Sequence, residues 1–162
     1  MRIDLSGFPV KTIHREEQNF PAVLRALPNC PKILYYRGAL PSQNEKCFAI
    51  VGTRRASDYG KEAAFNFAKM FSLSGITIVS GMALGCDTWA HKGALAGNGK
   101  TIAVLGAGLN EKSIYPQENL KLAEEILGKG GCVISEYTDE SPGFKGNFLQ
   151  RNRLVAGLSL GV

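Results

Sequence analysis

Long apolar runs are missing from this 162-residue sequence. None reaches the roughly 18–20 residues that a membrane-spanning helix needs. Clustered cysteines are missing too. Cys30, Cys47, Cys86 and Cys132 lie far apart with no C-x-x-C, which argues against a disulfide framework and against structural zinc. The only histidines are His14 and His91, and they share no ligand spacing with the cysteines. No metal and no cofactor is expected. The opening MRIDLSGFPVKTIHREE has no hydrophobic core of a secretory signal, so the expected compartment is the cytoplasm. Acidic residues are outnumbered, 14 against 19 Lys and Arg, for a net charge of +5. That balance tilts the expected partner toward a polyanion.

What is present is organised around Cys47-Phe-Ala-Ile-Val-Gly-Thr-Arg-Arg-Ala-Ser57. Cys47 to Val51 are apolar without a break, as in a strand buried on both faces. Gly52 permits a sharp turn, Thr53, Arg54 and Arg55 fill it, and Ser57 or Asp58 can cap a helix from Tyr59 to Ser74. Backbone N–H groups, a helix N-terminus and guanidinium donors would favour a phosphate or carboxylate there. A plain strand-to-helix turn with solvated arginines is the alternative.

Apolar runs recur at Phe48–Val51, Ile76–Val79, Ile102–Leu105 and Cys132–Ile134, with starts about 26–30 residues apart and helical patterns between them. This rhythm predicts an α/β fold: a Rossmann-like, doubly wound, mainly parallel sheet with helices on both faces. Helices are expected over Thr88–Ala96 and Glu118–Leu127. Residues 1–46 read as a small N-terminal lead-in packed on the main sheet, with a short helix Phe20–Leu27 and a strand Ile33–Tyr36. Residues 47–162 form the main domain. Ala94-Leu-Ala-Gly-Asn-Gly-Lys-Thr101 loosely matches a phosphate loop, but it runs from helix to strand, so Gly97 and Gly99 read as a helix end and turn.

In such sheets ligands bind beyond the carboxyl ends of the strands. Ser80-Gly81 ends the second main strand, where backbone amides could form another anion cradle. Asp87 is expected to cap the next helix and His91 to bond locally to it. Tyr115 either packs or lines a cleft, and core packing is the expectation. Glu136 lies where an enzyme could keep a carboxylate, but without a base or metal partner it is weak evidence of catalysis. The last informative stretch runs from Ser141 to Arg153. Asn147 can cap a helix from Phe148, and Lys145, Arg151 and Arg153 surround that ring. Cations beside an aromatic face suit the phosphates and bases of a single strand. A solvated helix start with a core phenylalanine is the alternative.

The motifs AIVGTRRAS-YG, TIVSGMALGCDTWAHKGAL, TIAVLGAGL---YPQEN, VISEY and GNFLQRNRLVAGLS resemble the DNA-processing protein A (DprA/Smf) family, as does the lead-in FPAVLRALPNCPKILYYRG. The resemblance covers about Phe20 to Ser159. It implies a non-catalytic protein that binds single-stranded DNA, protects incoming strands in natural transformation and helps load the RecA recombinase. It also implies a homodimer in the family. Carried over by motif, the DNA-binding residues would be Gly52, Thr53, Arg54, Arg55, Ser80, Gly81, Lys145, Asn147, Phe148, Arg151 and Arg153. Which of Arg54 and Arg55 clamps phosphate stays open. With five cations on phosphates, log affinity would fall against log salt with a slope of roughly −3.5.

Two further expectations follow. Members of the family continue after this last helix into further sheet that carries their self-association surface, whereas this chain stops at Val162. An open sheet edge and reduced stability or aggregation are therefore expected. The rival function is a phosphoribohydrolase of the Lonely Guy type using Glu136, although its P-G-G-x-G-T-x-x-E signature is absent. A scaffold that only contacts a recombination protein is the third.

Overall fold

The computed structural model describes residues 3–162. One six-stranded sheet has the order β1-β2-β6-β5-β4-β3. The strands β3 (Cys47–Ala49), β4 (Thr77–Ser80), β5 (Thr101–Leu105) and β6 (Cys132–Ser135) run parallel. Every residue of β4, β5 and β6 is buried, which is why these segments read as mostly apolar runs. The lead-in contributes β1 (Lys11–His14) and β2 (Ile33–Gly38), and β2 pairs antiparallel with β6. The lead-in is thus continuous with the main sheet. Arg37 fastens the join: Nε donates to Leu109 O at 2.9 Å, and Nη1 to Leu5 O and Phe8 O at 3.0 and 2.6 Å. The expected lead-in helix is a single turn, α1 (Ala22–Arg25).

Alternation along the strands builds two apolar layers. Ile102 and Val104 pack with Val79, Ile134 and with Leu154, Val155 and Leu158. Ala103 and Leu105 pack with Leu122, Ile126 and Val133 on the opposite face. Ile78 joins Ala68, Ala90 and Ala94 on that second face. Helices α2 (Asp58–Leu73), α3 (Cys86–Ala96) and α4 (Leu120–Gly128) therefore cover one face and α5 (Lys145–Gly157) the other. Each aliphatic side chain that α5 buries contributes about 1.5–3 kcal/mol.

The chain lays down β3 to β6 side by side, then returns across the opposite face through α5. There Leu160 N donates to Cys47 O and Ala49 N donates to Gly161 O, both at 2.9 Å. The outer edge of β3 is thus met by residues 160–161. The winding reverses at β3, as a doubly wound sheet requires. All four parallel strands present their carboxyl ends to the same rim.

The start of α2 is capped as expected, whereas those of α3 and α5 differ from expectation. Ser57 caps α2, its Oγ accepting from Gly60 N at 3.2 Å. The N-cap of α3 is Gly85 at φ 83°, with Asp87 inside the first turn. The N-cap of α5 is Phe144, so Asn147 lies within the helix. A 3-10 turn, Gln117–Asn119, precedes α4. Gly97 ends α3 and Asn98 takes a positive φ of 54°, which makes the glycine pair there a turn.

Candidate functional site

The loop after β3 lies against the start of α3 because two glycines leave room. A Cβ on Gly52 would stand 2.5 Å from Cys86 Sγ, and one on Gly85 would strike the carbonyl oxygens of Thr53 and Arg54. Cys86 N donates to Thr53 O at 3.2 Å, and Arg55 N to Thr53 Oγ1 at 3.2 Å. Thr53, Arg54 and Arg55 are exposed.

The anion cradle expected at the second loop is occupied from within. Asp87 is 5% exposed, and its carboxylate accepts from Ala83 N at 3.4 Å. Burial raises its pKa, against the pull of the Arg151 guanidinium and of the Ala83 and Gly52 amides. Ser80 is fully buried and donates to Ile50 O at 2.6 Å. Gly81 leaves the space that the Arg151 guanidinium and the Asp87 carboxylate fill. The Ala83 and Gly52 amides are thus turned toward an internal carboxylate.

His91 supports the same loop from below. It is fully buried, with Nε2 2.5 Å from Gly81 O and Nδ1 2.7 Å from Thr101 Oγ1, so it does not bond to Asp87. Burial pushes its pKa down to about 4, which keeps the ring neutral.

The five expected cations divide. The Arg54 guanidinium carbon stands 5.6 Å from the centre of the Phe148 ring. Lys145 is exposed in the first turn of α5, the same helix that carries Phe148. The two distant loops therefore meet on one rim. Arg54, Leu84, Gly106, Tyr115, Phe148 and Arg151 line the cleft between them. Arg55 is exposed but does not line it. Arg151 is 6% exposed, and its Nη1 donates to Val104 O. Arg153 is committed to Glu136, Nη2 to Oε2 at 2.5 Å. Asn147 and Phe148 are half-buried.

Two residues weighed in the sequence take definite places. Tyr115 is half exposed rather than core, its ring centre 5.6 Å from that of Phe148. Its place in the loop after β5 was the available signal. Glu136, the one carboxylate considered for catalysis, is tied to Arg153 and does not line the cleft. Among the described residues no cluster of His, Cys, Asp and Glu could hold a metal ion, and no helix is long and apolar enough to cross a membrane.

Residues 11–162 match the family model described as DNA recombination-mediator protein A. The chain is 41% identical over 151 residues to Protein Smf of Synechocystis sp., covering 91% of this chain and 37% of that protein. It is 36% identical over 155 residues to DNA processing protein DprA of Bacillus subtilis, covering 94% and 51%. Among solved structures, DNA processing protein A of Helicobacter pylori, described for its single-stranded DNA binding mode, superposes with a TM-score of 0.79 at 36% identity, over 94% of this chain and 66% of that one. The chain spans about two-fifths to one-half of the length of these two curated relatives.

Proposed function

The chain belongs to the DNA recombination-mediator protein A family, and from that premise we propose that it binds single-stranded DNA in the cleft between the β3 loop and the start of α5. The observation that carries this is the Arg54–Phe148 contact. It unites an always-charged guanidinium with an aromatic surface, the two components that single-strand sites combine. Arg54 is the phosphate clamp. Arg55 and Lys145 add charge along the rim, and Phe148 supplies an aromatic wall. Gly52, Thr53 and Gly81 shape the loops that hold these side chains, and Asn147 stands beside Phe148 in the first turn of α5. Ser80, Arg151 and Arg153 act from beneath, through the internal bonds already described.

The protein works without covalent chemistry. The hydrolase alternative needs a free carboxylate at the cleft, and Glu136 is engaged elsewhere. In the cell the site would hold strands in the cytoplasm for the RecA recombinase during natural transformation, with self-association multiplying weak single contacts along one strand. A competition titration between single-stranded and duplex oligonucleotides tests the reading. Preference for the single strand, lost in an R54A/R55A double variant, supports it. Equal affinity for both, or an unaffected double variant, rejects it.

A further inference from the structure

Phe148 is hemmed in by its own chain. A Cβ on Gly143 would stand 2.8 Å from its Cζ, and one on Gly106 2.9 Å from its Cδ1. The Arg54 guanidinium lies over the ring. Tyr115 is different. Its ring borders the same cleft, is 51% exposed, and belongs to none of the buried core clusters. The two rings are tilted by 48° at 5.6 Å, so they leave no parallel slot into which a flat base could slide between them.

We propose that Tyr115 is the surface on which an unpaired base stacks, with Phe148 as the wall that fixes its orientation. This rests on the single-strand reading above and adds to it the residue that selects unpaired bases. Stacking needs a base whose face is free, and within a duplex both faces of each base are covered by neighbours. Arg54, bordering the same cleft, would hold a phosphate while the base lies on Tyr115. A tyrosine suits the position because its ring is apolar while its hydroxyl tolerates water.

The test compares the whole chain with Y115A, Y115F and R54A on two probes of equal length: a dT oligonucleotide and an abasic deoxyribose-phosphate oligomer. Base stacking of ordinary strength predicts that Y115A binds the dT strand about 5- to 150-fold more weakly. Y115F, which keeps the ring, retains most of the affinity. On the abasic oligomer Y115A matches the parent chain, because that probe has nothing to stack. A purely structural tyrosine would weaken both probes alike, and that result overturns the proposal, as does an unaffected dT affinity. R54A separates the two levels. If it weakens both probes while Y115A weakens neither, the cleft stands and Tyr115 is not its stacking surface. If neither variant has an effect, the DNA-binding reading falls together with the proposal.

Discussion

The guanidinium carbon of Arg54 stands 5.6 Å from the ring centre of Phe148, joining the loop after β3 to the first turn of α5. That pairing distinguishes two neighbouring arginines. Arg54 lines the cleft and Arg55 does not. R54A is expected to weaken single-strand binding more than R55A does. R54K should recover only part of the loss, because an ammonium lacks the planar fork. Anisotropy titrations of the three variants at one salt concentration check this order.

Arg151 and Asp87 are both buried beneath the rim. Removing the cation alone takes away its electrostatic pull on the buried Asp87 carboxylate, so R151M is expected to be destabilised. The loss should depend on pH. Burial already raises the Asp87 pKa, and losing Arg151 raises it further. A raised carboxyl pKa penalises the folded state above that pKa and relieves it as pH falls through it toward the ordinary value. The deficit of R151M, read from urea midpoints, should therefore shrink on acidification, and D87N should rescue R151M in part at neutral pH.

His91 predicts acid sensitivity of the opposite sign. Its pKa falls from an ordinary 6.5 to about 4 on folding. The unfolded chain takes up the proton first, so stability is full above about 6.5 and declines as pH falls toward 4. At about 1.4 kcal/mol per pH unit, this group alone accounts for roughly 3 kcal/mol over that window. H91Q, though less stable at neutral pH, should flatten this part of the profile in urea melts.

Helices α2 and α3 touch through Gly93. A Cβ there would strike the Phe65 carbonyl oxygen and come within 2.9 Å of the Ala68 Cβ. Backbone cannot yield as a flexible side chain would, so G93A is expected to lose about 1–3 kcal/mol by overpacking. None of Phe65, Ala68 and Gly93 lines the cleft that Arg54 and Phe148 border. The folded fraction of G93A should therefore bind DNA with unchanged affinity, as a melt and a titration on the same sample would reveal.

The central strands were legible because burial on both faces forces an unbroken apolar run, as at Ile102–Leu105. The edge strand β1 was not, because Lys11–His14 buries only Ile13. The basic loops were legible as loops, since Gly52 and the Pro142-Gly143 turn mark them. The fate of each cation was not. Arg151 goes inward because Gly81, in the loop after β4, has no side chain to exclude it, and Arg153 is neutralised by Glu136 from the end of β6. Tyr115 carries an apolar ring that suits a core or a cleft equally, and only its exposure in the fold separates the two.

The salt dependence of single-strand affinity tests the account most directly. With Arg151 buried and Arg153 paired, Arg54, Arg55 and Lys145 remain to meet phosphates, so log affinity should fall against log salt with a slope of about −2. R54A should reduce that slope by about 0.7. A slope near zero, or a slope that R54A and K145A both leave unchanged, would contradict the placement of the strand in this cleft.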